Sequence, residues 1–302
     1  MIGSALRQIT RHYPLNRPRW RLLQMLPDLG ADNGEFGIKQ GLRLRAYPGG
    51  GDYICKQAYW FGDFDPWVDR TLTRLARLGD TAIDVGANIG TTTLCLAHAV
   101  GSSGRVISFE PFPSNFAMLR SNIDANGLRQ VDAWSLALSD RNGIGRMVEA
   151  GEQAGQAQME DVELDSTATQ SWLRQGKGQR SEVDTSTFDK WVEGQQIRSV
   201  SVCKIDVEGF EDAVLKGMRD TLQKRLIQAF VIERHVDWQI IHDSIFDLFR
   251  RNGYYVYRID KGLRAVRYRP LGSRPSGQPS HDFVAVLAKS EAERRISRWI
   301  QA

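Results

Sequence analysis

The chain has 302 residues, of which 41% are apolar and 25% charged, and a formal net charge of +4. This composition is that of a soluble globular protein, with room for one large domain and flanking arms. No apolar run approaches the ~20 residues of a membrane-spanning helix, and no apolar stretch follows the first arginines as in a signal peptide, so we expect a cytoplasmic protein.

The first 40 residues are predicted to form a basic helical arm. Residues 1–27 carry five arginines and no acidic residue, and a helix over 5–26 would be interrupted by its two prolines. The main domain is expected over residues 41–289. It should open with a short hairpin, Gly41–Ile54, that turns at its Pro-Gly-Gly-Gly run.

A helix with a clear start signal follows. Asp65 can cap it, and Pro66 fits its first position because the amide hydrogen that proline lacks would have no partner there. Gly79 marks its expected end. The apolar stripe at helical spacing consists of Trp67, Val68, Leu72, Leu75 and Leu78.

From residue 81 strands alternate with helices, which predicts a parallel sheet covered by helices on both faces. The last two strands have no helix between them, so they should pair antiparallel at one edge. The predicted strands are Thr81–Val85, Arg105–Phe109, Val131–Leu138, Ser199–Asp206, Ile227–Glu233, Tyr254–Asp260 and Asp282–Ala288. The predicted helices are Thr91–Val100, Ser114–Asn126, Glu211–Lys224, one around Asp243–Asn252, and a helical tail over 290–302.

Residues 143–183 interrupt this alternation. They are rich in Gly, Gln, Ser and acidic residues and have little apolar periodicity. A stretch of this length inside a compact domain is either a functional lid or a disordered insertion. Trp172 and Leu173 are its bulky apolar pair. As part of a lid, they would cover the cleft or stack on a sugar face once the acceptor binds.

A second basic segment lies near the end of the domain. Residues 250–274 carry eight Lys or Arg residues against the single Asp260. Together with the N-terminal arginines, such a patch attracts phosphate-bearing partners, and the basic N-terminus could contact an anionic membrane. The alternative is a solvated basic surface. We favour it over a nucleic-acid groove because no aromatic residues alternate with the arginines.

The first strongly functional motif is the run Asp84-Val85-Gly86-Ala87-Asn88-Ile89-Gly90, at the end of the first strand of the sheet. Ligands bind at such strand ends in open parallel sheets. Gly86 allows a tight turn, and Gly90 allows close packing of the next helix. An acid two residues before the first glycine would repel a pyrophosphate and attract a cationic amino acid. The motif therefore favours S-adenosylmethionine over a nicotinamide dinucleotide.

Two further strand ends fit the same ligand. Glu110 ends the next strand, where an acid can accept hydrogen bonds from both ribose hydroxyls, although it could instead cap the following helix. Ala137 opens the run Ala-Leu-Ser-Asp that ends the third strand, at the place that borders the adenine in such a sheet.

Acidic residues crowd the last two parallel strand ends. Lys204, Asp206 and Glu208 share one face if the strand's period of two continues, and Glu233 and His235 end the next strand. Crowded carboxylates raise one another's pKa values, which suits a general base, so Asp206, Glu208 and His235 are the catalytic candidates. Alternatively Asp206, Glu208 and Glu233 hold Mg²⁺, whose preferred ligands are oxygens.

In this order the motifs resemble the FkbM family of methyltransferases. The resemblance covers roughly Gly41 to Lys289. It departs from the family pattern at Phe64-Asp65-Pro66, where the family often shows an aromatic residue followed by Glu-Pro, and in the long insertion. The motifs that carry it are Ile83–Gly90, Phe109–Pro111, Ala137–Asp140, Lys204–Glu211 and the strand that ends at Glu233.

The resemblance implies a class I (Rossmann-like) methyltransferase fold, an α/β architecture whose mostly parallel seven-stranded sheet has an antiparallel edge strand and helices on both faces. It also implies S-adenosylmethionine as methyl donor, and O-methylation of hydroxyls on sugars, polyketides and similar metabolites. Asp206 and Glu208 would face the reaction centre. The cofactor-binding residues would be Asp84, Gly86, Asn88, Gly90 and Thr91 on the methionine side, Glu110 at the ribose and Ala137 at the adenine.

The sequence thus predicts an O-methyltransferase that acts on a small-molecule, glycan or lipid-linked acceptor. An RNA methyltransferase that uses the basic patches is the alternative. It is disfavoured because the chain lacks an Asn/Asp-Pro-Pro-aromatic motif and a Pro-Cys nucleophile. A non-catalytic protein on the same fold and a nicotinamide-dependent dehydrogenase remain as weaker readings. The sequence makes no prediction about oligomeric state.

Overall fold

The structure, a computed structural model, describes residues 2–12, 19–28, 34–46, 53–149, 157–159, 179–262, 265–275 and 280–301. Its helices are α1 (Ile2–Arg11), α2 (Arg19–Met25), α3 (Tyr53–Phe61), α4 (Pro66–Leu75), α5 (Thr91–Val100), α6 (Pro113–Ala125), α7 (Phe188–Glu193), α8 (Glu211–Lys216), α9 (Arg219–Gln223), α10 (Ser244–Arg251) and α11 (Glu291–Ile296). Its strands are β1 (Glu35–Gly37), β2 (Arg43–Arg45), β3 (Thr81–Val85), β4 (Arg105–Phe109), β5 (Val131–Trp134), β6 (Ala137–Leu138), β7 (Gly143–Glu149), β8 (Ala157–Met159), β9 (Gln179–Ser186), β10 (Val202–Ile205), β11 (Ala229–Glu233), β12 (Tyr254–Lys261), β13 (Val266–Pro270) and β14 (Asp282–Leu287).

The main sheet has eight strands in the order β13-β12-β14-β11-β10-β3-β4-β5. The five strands from β11 to β5 run parallel, and β14, β12 and β13 run antiparallel. The predicted fold class and the predicted antiparallel pairing of the two late strands are therefore confirmed. The added edge strand is β13, where alternating apolar and charged residues bury Val266 and Tyr268 against the domain.

The parallel strands are buried on both faces, as their apolar runs require. In β3, Ile83 and Val85 pack into one apolar cluster, whereas Ala82 packs into the cluster on the opposite face. The carboxyl ends of β3, β4, β10 and β11 meet at one edge of the sheet, which brings the predicted site motifs together.

Several local predictions are wrong. The main sheet has eight strands rather than seven, and the strand predicted over Val131–Leu138 divides into β5 in the main sheet and β6, which pairs with β9. The strand β2 pairs with the preceding β1, and the chain enters α3 at Tyr53, so there is no hairpin over Gly41–Ile54. The helix predicted over Glu211–Lys224 breaks into α8 and α9 at Gly217, whose backbone packs against the Ser139 carbonyl so tightly that a Cβ would lie 2.0 Å from it. The helix that Asp65 caps ends at Leu75 and leaves Leu78 exposed.

The interrupting segment 143–183 is more ordered at its ends than the sequence indicated. The strands β7, β8 and β9 join β6 in a second sheet of order β6-β9-β7-β8. Buried Met147, Met159 and Val183 hold this sheet against the main domain. The central part of the predicted lid, including Trp172 and Leu173, lies outside the described residues.

Several arginines of the two basic segments point inward. Arg7 donates to the carbonyls of Tyr59 and Gly37 at 2.9 Å each, and buried Arg19 pairs with Asp63. In the late segment, Arg258 is buried and Arg269 pairs with Asp260 at 2.7 Å. Much of the positive charge therefore serves internal packing. The helices that the structure describes include none that is long and apolar enough to cross a membrane.

Candidate active site

A cavity of ≈ 270 Å³ opens where the parallel strands end. Its wall combines the turn after β3, the ends of β4, β10 and β11, the short strand β6, and one side of α4. The predicted site residues that line it are Gly86, Asn88, Thr91, Glu110, Ala137, Asp206, Glu208 and Glu233. Neither Asp84 nor Gly90 nor His235 belongs to the described lining.

The turn after β3 is shaped by two glycines and one strained asparagine. Gly86, Asn88 and Gly90 all have positive φ, at 77°, 51° and 99°. The Asn88 side chain stabilises its own conformation by accepting a 2.6 Å hydrogen bond from the Ile89 amide. A Cβ on Gly90 would lie 2.8 Å from the Leu119 side chain, so a larger residue at this position would collide with α6.

At Gly86 the turn after β3 contacts the backbone at the end of β10. A Cβ at this position would lie 1.9 Å from the backbone carbonyl oxygen of Asp206. We expect Gly86→Ala to lower the free energy of unfolding by clearly more than the ~1–2 kcal/mol that left-handed backbone costs an L-residue. Gly127→Ala is the control, because Gly127 has φ 61° and no atom within 4 Å of its would-be Cβ. Urea denaturation measures both, and equal losses would contradict the close contact.

Asp84 lies beneath the floor of the cavity. It is fully buried, its Oδ2 accepts a 2.7 Å hydrogen bond from Thr93, and its Oδ1 is 4.0 Å from the Lys204 ammonium. Burial raises the pKa of Asp84, while Lys204 and Thr93 oppose that shift. The geometry gives Asp84 the role of holding Lys204 and α5 in place, rather than the direct ligand contact that its sequence position suggested.

Glu110 does reach the cavity. Its Oε2 accepts from the Asn88 amide at 2.7 Å and its Oε1 from the Phe112 amide at 2.9 Å. Burial raises the pKa of Glu110 to about 7, although these amides stabilise the ionised form. Each carboxylate oxygen has a second lone pair. The Asn115 side chain also hydrogen-bonds this carboxylate. The Glu110 side chain is thus fixed in orientation and keeps capacity to accept a hydrogen bond from a ligand hydroxyl.

Beyond Glu110 the cavity becomes apolar. Leu136, Ala137 and Leu138 line this part together with Met147 and Met159 of the second sheet, and Ala137 packs against the two methionines. A flat heteroaromatic ring fits against such a surface, and the thioether side chains adapt readily to its faces. The sequence pointed to Ala137 through its strand end, but it gave no signal for the two methionines, which belong to the segment that looked irregular.

The opposite end of the cavity contains a network of charges at the ends of β10 and β11. The Lys204 ammonium lies 3.0 Å from Asp206, and Glu233 shares a hydrogen bond with Asp206. Burial alone would raise the pKa of Asp206, but Lys204 and Glu233 bring it below its usual value. Burial and the nearby Asp206 raise the pKa of Glu233 to about 9. At neutral pH Glu233 therefore holds a proton and donates it to the Asp206 carboxylate.

Glu208 differs from these neighbours. The strand ends at Ile205, so Glu208 reaches the cavity through a turn with φ 49° rather than through the strand alternation that the sequence suggested. Burial and the carboxylates of Asp206 and Glu211 raise the pKa of Glu208 to about 7. Glu211 itself accepts a hydrogen bond from the Gly209 amide at 3.0 Å and closes the turn.

His235 lies outside the cavity, with its side chain 66% exposed. Its Nε2 is 3.5 Å from Glu233 Oε1, and its ring stacks on His281 at a centroid distance of 4.5 Å. Burial and His235 lower the pKa of His281. His235 thus contacts Glu233, which lines the cavity, but it does not line the cavity itself.

The carboxylates do not form a metal centre in the part of the chain that the structure describes. No group of three or more His, Cys, Asp or Glu side chains there is placed to hold an ion. Lys204 and Glu233 already occupy the Asp206 carboxylate. We therefore do not carry the Mg²⁺ alternative forward.

The sequence missed a group at the cavity that comes from distant segments. Lys261 pairs with Asp65 at 2.7 Å and with Asp282 at 2.5 Å, and these three side chains line the wall. Burial opposes the charge on Lys261, but both carboxylates raise its pKa. Asp69, one turn along α4 from the capping Asp65, also lines the cavity. Only the cap signal at Asp65 was visible in the sequence.

A mostly parallel sheet with a glycine turn after its first strand, an acid after its second and a cavity at the carboxyl ends of its strands is the arrangement of the class I methyltransferase fold. The chain belongs to the FkbM methyltransferase family, since the methyltransferase FkbM domain matches residues 84–256. The family predicted from the motifs is thereby confirmed.

Three named relatives are similar to this chain. The hexuronic acid methyltransferase AglP of Haloferax volcanii is 30% identical over 169 residues, which cover 56% of this chain and 61% of AglP. The 31-O-demethyl-FK506 methyltransferase FkbM of Streptomyces tacrolimicus is 28% identical, covering 60% and 74%. The 2-O-methyltransferase NoeI of Sinorhizobium fredii is 26% identical, covering 52% and 65%. The chain thus spans less than two thirds of the length of AglP and of NoeI.

Proposed function

We propose that this protein transfers the methyl group of S-adenosylmethionine to a hydroxyl group of a sugar, a glycoconjugate or a related metabolite. The observation that carries the proposal is the cavity itself. Its wall contains three features that suit this reaction. They are Glu110, whose two oxygens are held by backbone amides, the apolar surface at Ala137, and the ionisable Glu208. The family membership supports the same reaction type.

The residues of the wall fit the parts of the donor in order. The apolar part of the wall, formed by Leu138 and the two methionines, would contact the adenine. Glu110 would accept hydrogen bonding from the ribose. The turn from Gly86 to Asn88 would pass under the sulfur. When bound, S-adenosylmethionine supplies an electrophilic methyl group on a sulfonium, so the protein has mainly to orient the acceptor and remove its proton.

Glu208 is the group best suited to take that proton. The acceptor oxygen must lose its hydrogen as its bond to the methyl carbon forms, and a base works best when its pKa lies near the working pH. The raised pKa of Glu208, about 7, meets this condition. Asp206 is less suited because Lys204 holds it as an ion pair, and Glu233 is less suited because it retains its own proton. These two hold the strand end in position beside Glu208.

The mouth of the cavity supports a polyhydroxylated acceptor. Phe64 lines it and meets the half-exposed Tyr53 edge to face, with ring centroids 6.3 Å apart. Beside them, Asp65, Lys261 and Asp282 supply charged hydrogen-bonding groups. Aromatic faces together with a few fixed polar groups suit a sugar ring. Of the relatives' names, AglP's specifies a hexuronic acid, which supports a sugar acceptor, and the other two specify methylation at an oxygen.

Recognition of RNA has less support. Arg7, Arg19, Arg258 and Arg269 make internal contacts, so they do not form the exposed stripe that a phosphate backbone requires. A contact between the basic N-terminus and an anionic membrane would have to rely on the other arginines.

Methyl-labelled S-adenosylmethionine tests the proposal. The purified chain is incubated with methyl glycosides of neutral sugars, methyl glycosides of hexuronic acids, a lipid-linked glycan fraction and total RNA. We expect label in a carbohydrate pool, in a linkage that resists the mild alkali which cleaves methyl esters. Label in RNA alone, or only as an alkali-labile ester, would contradict hydroxyl methylation of a carbohydrate.

A further inference from the structure

The ammonium group of S-adenosylmethionine needs a carboxylate that its expected partner does not provide. The sequence offered Asp84, but that side chain is fully buried under the floor, bonded to Thr93 and next to Lys204. A second carboxylate must therefore face this part of the cavity if the amino acid end of the ligand is to be neutralised.

Most acidic side chains of the wall are already engaged. Lys261 neutralises two of them, Lys204 neutralises a third, and a fourth is held by backbone amides. These four are Asp65, Asp282, Asp206 and Glu110. Glu233 shares its proton with Asp206, and Glu208 serves the acceptor.

Asp69 differs from these, because the hydrogen-bonding partner of its side chain is the neutral Cys95 thiol. It projects from α4, which packs against α5, and its own backbone carbonyl lies 3.8 Å from the Cys95 thiol of α5. The cavity wall continues from Asp69 to Thr91 and Thr92 at the start of α5. Among the residues that the structure describes, no Lys or Arg lies within ion-pair distance of the Asp69 carboxylate. Its position thus faces the end of the cavity away from the adenine slot.

The surroundings of Asp69 favour the arrival of a cation. Burial and the neighbouring carboxylates of Asp63 and Asp65 raise the pKa of Asp69 well above its usual range. A carboxyl group kept in such a place destabilises the ligand-free protein. A bound ammonium group would reverse this penalty, and stored destabilisation of this kind is common at binding sites.

We propose that Asp69 binds the α-ammonium group of S-adenosylmethionine, and that Asp84 acts only beneath the floor. This inference rests on the proposed function, because it concerns the donor of that reaction. It assigns the methionine end of the cavity to α4, which lies before the family's matched region begins at residue 84.

Three ligands and one substitution separate this contact from the rest of the cofactor site. S-adenosylhomocysteine carries the ammonium and the carboxylate, decarboxylated S-adenosylhomocysteine carries the ammonium alone, and 5′-methylthioadenosine carries neither. Calorimetry measures the affinity of each for the native chain and for Asp69→Asn. We expect the two amines to bind on the order of 30-fold more weakly to the variant, as for a truncated buried charge pair, while methylthioadenosine is unaffected.

The melting temperature distinguishes a ligand-binding Asp69 from a structural one. Loss of a ligand-binding carboxylate should raise the melting temperature of the ligand-free protein, whereas loss of a structural carboxylate should lower it. Burial and the neighbouring carboxylates raise the pKa of Asp69, so this carboxyl group lowers the stability of the fold at pH values above its unfolded-state pKa. Ligand-free Asp69→Asn should therefore melt at a higher temperature than the native chain near neutral pH. Glu193→Gln is the control, because it removes one carboxylate charge from an exposed residue that pairs with Lys190 and does not line the cavity. It should leave the ratio of amine to methylthioadenosine affinities at the native value.

The outcomes discriminate clearly. Equal weakening of all three ligands, or no weakening of the amines, would overturn the assignment of Asp69 while leaving the proposed function intact. A lower melting temperature of Asp69→Asn would also count against it, since it would mark a structural carboxylate. If none of the three ligands bound the native chain, the proposed function and this inference would fall together.

Discussion

Glu208→Gln should reduce kcat by roughly 10²–10⁴-fold, the usual contribution of a general base. The glutamine side chain has nearly the same shape but cannot take the acceptor's proton. Binding of S-adenosylhomocysteine should stay close to native because Glu208 lies at the acceptor end. Glu193→Gln is the matched control, since Glu193 is exposed and pairs only with Lys190 at 3.0 Å.

The pH profile should identify the same group. Burial and neighbouring carboxylates raise the pKa of Glu208 to about 7, so below that pH the side chain is protonated and cannot act as a base. With donor and acceptor both saturating, kcat should therefore rise tenfold per pH unit below about 7 and level off above it. The limb should vanish in Glu208→Gln. Native-like turnover in that variant, or a flat native profile from pH 5.5 to 8, would assign the proton to another acceptor.

Glu110→Ala should weaken the binding of S-adenosylhomocysteine on the order of 100-fold, because hydrogen bonding of the ribose to a carboxylate is lost. The variant should also lose stability, since the amides of Asn88 and Phe112 are left without their acceptor. Melting temperature and calorimetry separate these effects.

A control variant and a ligand analogue accompany the Glu110 measurement. Asp132→Asn is the control, because Asp132 pairs with Arg105 at the opposite end of the parallel strands. A ligand that lacks the ribose hydroxyls, the 2′,3′-dideoxy analogue of S-adenosylhomocysteine, should bind native protein and Glu110→Ala with similar affinity. A folded Glu110→Ala that binds S-adenosylhomocysteine as tightly as the native chain would show that the carboxylate only braces the turn.

The sequence predicted the centre of the fold well because its signals there are local. β3, β4 and α5 occur at the predicted boundaries, since short buried apolar runs and a glycine turn define them. The edges were harder. β13 reads as part of a Gly- and Pro-rich loop, and the strands of the second sheet have too few apolar residues to show a period. These elements form because a partner strand is available, which is a tertiary property.

The residues of the site also fall into those that a local sequence signal predicted and those that only the tertiary structure brings together. Glu110 and Asp206 were visible because a strand end fixes where a side chain goes. Asp84 was expected to line the cavity and does not. A strand end does not reveal whether a side chain lies above or below the turn that follows it. The pairing of Lys261 with Asp65 joins residues 196 positions apart, and no local pattern announces such a contact. Asp69 belongs to this second class.

The most direct test of the account is a calorimetric titration of the native chain with S-adenosylmethionine, S-adenosylhomocysteine and NADH. The cavity has an oriented Glu110, a slot for one adenine and a carboxylate-rich far end. It should therefore bind the two adenosyl amino acids at one site per chain, in competition with each other, and it should not bind NADH, whose pyrophosphate the acids would repel. Binding of NADH without binding of S-adenosylhomocysteine would contradict the assignment of this cavity to a methyl donor.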